Sequence, residues 1–543
     1  MIDRRSFIGT CTVAAGALAP GITNVWAADA AAAAATATTT AGKIRGIHES
    51  DVYAFKGVPY AASTADAGRF QPPAKQKPWT GVRDCTQLGH RSPQLLSLFH
   101  GVVPPEVEAM DRDEAMGEDC LVLNVWTPTL DRGRKLPVMV WLHGGGFTSG
   151  SGGFICYDGA QLAKKHDVVV VTVNHRLGPL GYLYLAGLGS AQYANASNVG
   201  NLDIVAALEW VRDNIATFGA DPDNVTIFGQ SGGGGKVSSL MAMPAAHGLF
   251  KRAIVQSGSS VKGISRDAAS KNAERLLARL NLKPEQADQL QHVPMDQLLK
   301  AANEGSGPPI NWGPVVDGKS LPADPFDPTA PAMSGSVPLM IGTVETEVTF
   351  FPGQPLEPMD DATFHTKVKQ LLRNASDADV DRVIAAYRTG RRDRANTDLY
   401  LIMASDAGFR AGILLEGERK AEQTQAQVYQ YYFTWRSPVR DGKLRTFHTL
   451  EIPFVFDNVD ACQSMTGSGA DRLPLAQMMS AAWVAFARTG NPNHPGLPDV
   501  WVPYDNTRRA TMIFNDKTML LNDPYGSEQR LLRSLAGAGP ARA

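Results

Sequence analysis

Val225-Thr-Ile-Phe228-Gly229-Gln230-Ser231-Gly232-Gly233 is the stretch on which the reading of this chain turns. Its first four residues form a short apolar run of the kind found in strands covered on both faces. A G-x-S-x-G turn follows at once, and Lys236–Met243 beyond it is able to form a helix. Glycines on both sides of Ser231 permit a tight turn that lifts the hydroxyl clear of a sheet. A serine hydroxyl is a weak nucleophile by itself, so the turn predicts a base and a pocket of donors for an anion. The neighbouring Gly234-Gly235-Lys236 imitates a phosphate loop. Its required first glycine falls on Gln230 and Val237 stands where Ser or Thr belongs, so no nucleotide site is predicted.

Outward from this turn, strand and helix signals alternate. Leu136–Leu142 and Val168–Val173 are unbroken apolar runs, and Arg252–Gln256, Val337–Ile341 and Val428–Thr434 supply further strands. Ile204, Leu208, Val211, Ile215 and Phe218 fall on one helical stripe, and Gly219 is placed to end it. The pattern predicts an α/β fold with a mostly parallel central sheet. Ser265–Ala302 and Asp360–Ala421 read as helical insertions over that sheet, and Asn491–Pro503 as a surface loop.

Two more pieces carry chemistry. His143-Gly144-Gly145-Gly146-Phe147 follows the Leu136–Leu142 strand, and its bare N–H groups suit the oxyanion of a tetrahedral intermediate. Gly232, the residue after the nucleophile, adds a further donor. His143 reads as a structural group beside that pocket. In α/β-hydrolases the order along the chain is Ser, acid, His. Order alone leaves His448, His494 and the earlier histidines downstream of Ser231 open as the base. For the acid, Glu345 and Glu347 both lie beyond the C-terminal end of the Val337–Ile341 strand, where such a sheet places catalysis.

Several blocks together resemble the type-B carboxylesterases, the family that includes the cholinesterases. They are Phe55-Lys-Gly-Val-Pro-Tyr60, Arg69-Phe-Gln-Pro-Pro73, Glu118-Asp-Cys-Leu-Val-Leu-Asn-Val-Trp-Thr-Pro128, Asn198–Asp203, Phe218–Pro222 and Val225–Gly234. The resemblance runs from about Lys43 to about Leu532 and implies an α/β-hydrolase fold. It implies Glu347 as the acid, His448 as the base, and Gly145, Gly146 and Gly232 as oxyanion donors. It also implies a loop disulfide between Cys85 and Cys120. The activity implied is hydrolysis of carboxylic esters through an acyl-enzyme, with no metal and no organic cofactor. Acyl transfer, lactone or amide hydrolysis by the same triad, and a non-catalytic binding role on this fold, are the alternatives. Phe147, Phe350 and Phe351 are candidates for the substrate pocket. Gln230 and Gly232 stand where the family more often has Glu and Ala. No Trp lies between Cys85 and Cys120, the loop in which cholinesterases carry their cation-binding ring, so choline esters are not the implied substrate.

Composition agrees with a globular enzyme. Hydrophobic residues are 43% and charged residues 20% of 543, enough apolar material for a large core. A net charge of −2 argues against a nucleic-acid partner. At the N-terminus, Arg4-Arg5 precedes an apolar run from Phe7 to about Ala19, and Val25-Trp26-Ala27 offers a cleavage site. Residues 1–27 therefore read as a signal peptide of the twin-arginine type, predicting export to the periplasm or beyond without a stable membrane anchor. Residues 28–42 read as a flexible leader, 43–535 as one catalytic domain and 536–543 as a tail. In an oxidising compartment Cys85 and Cys120, on either side of one loop, suit a disulfide.

Overall fold

The apolar runs of the sequence make the middle of one large sheet. The computed structural model describes residues 33–95, 110, 114–188, 191–305, 308–373 and 375–536. In chain order the strands are β1 (Ala33–Thr38), β2 (Lys43–Glu49), β3 (Val52–Pro59), β4 (Val82–Asp84), β5 (Val122–Thr127), β6 (Leu136–Leu142) and β7 (Val169–Val173). They continue as β8 (Ala220–Gln230), β9 (Arg252–Gln256), β10 (Leu339–Val344), β11 (Val428–Phe433), β12 (Ala510–Phe514) and β13 (Met519–Asn522). They pair in the order β1-β2-β3-β5-β7-β6-β8-β9-β10-β11-β12-β13, with β4 beside β2. From β7 to β12 all neighbours are parallel. Along this path the two flanks of the sheet are antiparallel, while β4 runs parallel to β2.

The α-helices are α1 (Ala160–His166), α2 (Gly178–Tyr182), α3 (Val199–Asn214), α4 (Gly232–Leu240), α5 (Arg266–Arg279), α6 (Met295–Asn303) and α7 (Asp361–Leu372). After them come α8 (Asp377–Gly390), α9 (Asn396–Ser405), α10 (Ala411–Glu422), α11 (Ile452–Val455), α12 (Gln463–Thr466), α13 (Arg472–Thr489) and α14 (Gly526–Ala536). Alternate residues of the central strands point to opposite faces. Val138, Val140 and Leu142 of β6 pack with Ile204 and Leu208 of α3, Val237 of α4 and Ile413 of α10. Met139 and Trp141 pack the other way, with Leu162 of α1 and Met479 and Trp483 of α13. Covering helices on both faces is what lets β6 and β7 be apolar without a break. The predicted insertions are helical. Residues of α5 and α6 form one satellite core, and residues of α7, α8, α9 and α14 another.

Two expectations are corrected. The Ala/Thr run expected as a flexible leader forms β1 over Ala33–Thr38 and pairs with β2. Its reason is a period of two: Ala35 and Ala37 are buried while Thr36 and Thr38 face out. The disulfide is absent, with Cys85 and Cys120 both unbridged buried thiols. Cys85 accepts a backbone bond from Lys56, whereas Leu121, next to Cys120, accepts one from Tyr60. The two cysteines thus dock at different points of the chain, Cys85 beside Lys56 and Cys120 next to the partner of Tyr60. The thiol of Cys120 is instead hydrogen-bonded with Ser92, and burial pushes both thiols up to about 12. The proposed signal segment, residues 1–27, lies outside the described residues, as does nearly all of the C-terminal tail.

Candidate active site

β8 delivers Ser231 at the centre of the parallel sheet, between β6 and β9. Its backbone has φ 59° and ψ −128°, a conformation that a residue with a side chain adopts only under constraint. The constraints are visible. Ser231 N–H donates to Gln256 O at 2.8 Å, and Gly235 N–H donates to Ser231 O at 3.1 Å. A Cβ on Gly233 would lie 1.9 Å from Leu142 O, so glycine there lets the turn sit directly against the end of β6.

Gly145 and Gly146 have φ of +87° and +60°, which glycine adopts without the penalty a side chain would bring. The glycine loop closes on the nucleophile turn backbone to backbone: a Cβ on Gly232 would lie 2.1 Å from Gly146 O. Among the described residues, the N–H groups of Gly145, Gly146 and Gly232 have no acceptor. Three uncommitted donors thus meet beside one serine.

The segments that follow β10 and β11 bring the other two groups. His448 Nδ1 lies 2.5 Å from Glu347 Oε2, both buried, and Glu347 Oε1 accepts the N–H of Val344 at 3.0 Å. Glu345 turns away and pairs with Arg394 at 3.4 Å. Among the described residues Ser231 and His448 share no hydrogen bond, and Gln230 Nε2 stands 3.3 Å from each ring nitrogen of His448. Such catalytic bonds are often long until substrate is bound. His494 lies elsewhere, on the carbonyl of Met478. His143 points its Nδ1 at Gly144 O at 2.8 Å and stacks on His175 with centroids 4.9 Å apart. Burial, and then the charge of Lys236, hold its pKa well below that of a free imidazole.

The three predicted pocket aromatics divide. Phe350 and Phe351 lean on His448, with centroids 5.7 and 5.6 Å away. Phe147, at the end of the glycine loop, packs edge-on against Tyr182 of α2 at 5.0 Å. Sequence reasoning missed Phe409, whose ring is nearest to His448 at 5.0 Å and stacks on Phe351 at 5.9 Å. It sits in a single π-helical turn, Asp406–Arg410, between α9 and α10. A π turn breaks the 3.6-residue period, so no stripe announces it. Glu451 stands three residues beyond His448, directly before α11. Burial, followed by repulsion from Glu347, raises its pKa to about 8, and it takes a 3.4 Å bond from Gln256. A neutral acid there avoids a second buried negative charge beside Glu347.

Comparison with known proteins shows the family. Residues 33–530 match the sequence profile of the Carboxylesterase family. The chain is 34% identical over 506 residues to para-nitrobenzyl esterase of Bacillus subtilis (strain 168), covering 91% of this chain and 98% of that one. It is 31% identical over 498 residues to fumonisin B1 esterase of Sphingopyxis macrogoltabida, covering 88% and 86%. Among solved structures, a carboxylesterase of Geobacillus stearothermophilus superposes with a TM-score of 0.78 at 35% identity, covering 92% of this chain and all of that one.

Proposed function

Given that the chain belongs to the carboxylesterase family, we propose that Ser231, His448 and Glu347 form the triad by which it hydrolyses carboxylic esters. The observation that carries this reading is the buried 2.5 Å contact of Glu347 with His448, with Gln230 beside the strained Ser231 standing 3.3 Å from the same ring. His448 takes the proton of Ser231 as its oxygen attacks the ester carbonyl. Glu347 holds the imidazole tautomer and stabilises the imidazolium. N–H groups of Gly145, Gly146 and Gly232 receive the oxyanion, each donor worth about 10²–10³ in turnover. The alcohol leaves with a proton from His448, and water activated by the same ring then releases the acid.

Phe350, Phe351 and Phe409 give the site an aromatic wall on the His448 side, and Phe147 gives it one beside the glycine loop. Small-molecule esters with an apolar acyl or alcohol part suit such walls. Export is part of the same reading and is supported by Arg4-Arg5 with the apolar run behind it. Among the described residues no helix is long and apolar enough to cross a membrane.

Hydrolysis of p-nitrophenyl esters from acetate to palmitate, with Ser231→Ala alongside, tests the proposal. Wild-type turnover with a loss of about 10⁴-fold or more in the variant is expected. A fully active Ser231→Ala protein refutes the triad. Cell fractionation tests export, and an intact N-terminus retained in the cytoplasm refutes it.

A further inference from the structure

Lys236, the residue that makes the nucleophile turn imitate a phosphate loop, has no role in the triad, yet it is wholly buried in α4. Its Nζ donates to His143 O at 2.8 Å and lies 5.7 Å from the ring centroid of Phe147. Those two residues are the ends of the glycine run that carries the oxyanion donors. The ammonium therefore sits behind the loop and touches it at both ends.

Among the described residues no carboxylate faces it. The titratable groups around it are His143 at the end of β6 and His175 after β7, both kept neutral by burial and by Lys236 itself. Arg176, beyond them, is tied to Asp203 of α3 by a fully buried ion pair at 2.6 Å. Glu416 of α10 faces the same helix two residues on, where it takes a bond from Ser238 at 2.8 Å. A buried charge normally carries a counter-charge. The negative charge missing here is one that ester hydrolysis creates transiently, on the other side of the loop.

We propose that Lys236 is a positioning residue of the oxyanion hole, whose ammonium fixes the His143–Phe147 loop and favours the tetrahedral anion across it. This rests on the reading of the site given above. The charge acts through the loop and forms no bond to substrate. Burial brings its pKa down to about 7, so the charge is present below that pH and fades above it.

Two neutral variants test the inference: Lys236→Met, which removes donor and charge, and Lys236→Gln, which keeps an amide donor for His143 O. Both should fold, because removing an uncompensated buried charge is commonly neutral or stabilising. Each should lose about tenfold or more in kcat with KM within threefold. The ratio of wild-type to variant kcat should shrink as pH rises through about 7, a change that a purely structural role would not produce. A Lys236→Gln enzyme with wild-type kcat, or a ratio constant from pH 6 to 9, overturns the inference. Ser231→Ala, assayed beside them, separates the two readings. If it collapses while the lysine variants stay active, only the role of Lys236 falls.

Discussion

Gly258→Ala is a one-carbon test of how the nucleophile is held. Gly258 follows β9, and a Cβ on it would lie 1.8 Å from Ser231 O, 2.4 Å from its carbonyl carbon and 2.8 Å from its Cα. Real Cβ atoms essentially never come closer than 3.0 Å. The two backbones must therefore part by roughly 1 Å, and neither side is free to move. Ser231 is bonded to Gln256 on one side and Gly235 on the other, and Ser257 N–H is bonded to Gly342 O at 2.8 Å. A misplacement of about 1 Å costs on the order of 10² in rate, or about 2.7 kcal/mol of barrier. The assay is steady-state hydrolysis of p-nitrophenyl butyrate, with active sites counted by an organophosphate and folding followed by thermal unfolding. The expected result is a folded protein whose kcat falls about 100-fold while KM stays within a few-fold. A cooperatively folded Gly258→Ala enzyme with kcat within threefold of wild type would refute this account of the turn.

Glu347→Gln keeps the shape but removes the charge that holds the imidazole tautomer; kcat should fall about 10³–10⁴-fold with KM little changed, read from the same esterase assay. Gln230→Glu sets a carboxylate where Nε2 now lies 3.3 Å from both nitrogens of His448. That charge favours the protonated ring, so the acid limb of the kcat/KM profile should move up by roughly one pH unit, and an unmoved limb refutes the contact. Phe409→Ala removes the ring nearest to His448; kcat/KM for short acyl esters should drop roughly tenfold, and the preferred acyl chain should lengthen. Glu416, fully buried and hydrogen-bonded by Ser238, has its pKa raised by burial to about 8 from 4.5. Its protonated folded form is favoured below the unfolded value, and that contribution is lost as pH rises from about 4.5 to 8. Glu416→Gln should therefore raise the melting temperature at pH 8, by an amount reflecting a few kcal/mol at most, and change it little at pH 4.5.

What the sequence could and could not tell follows from how each feature is encoded. Strands buried on both faces have no alternation to disguise them, so Leu136–Leu142 is legible to the residue. Glycines demanded by backbone contact are equally plain, as at Gly229 and Gly233. β1 was hidden because alanine and threonine carry a weak strand signal, and only their alternation against β2 sorts them. Glu345 and Glu347 lie two residues apart in a loop, and local pattern has no term for which one meets a histidine 101 residues later. The cysteine pairing failed for a related reason: spacing in the chain does not show that Cys120 meets the hydroxyl of Ser92. Phe409 depends on a helix that slips register for one turn, and Lys236 on a partner carbonyl 93 residues earlier.

The order in which the sheet draws its catalytic groups from the chain also sets a clock. Gly145, Ser231, Glu347 and His448 follow β6, β8, β10 and β11 in turn, with the histidine about 300 residues after the first donor. At a synthesis rate of roughly 5–20 residues per second, some 15–60 s pass on the ribosome between the first of these groups and the last. A chain cut short between β9 and β11 therefore contains a serine turn and an anion pocket but no base. Hydrolysis begins only with the last fifth of the protein, so a growing chain cannot act on the esters around it, and enzymatic turnover reports completion of the sheet.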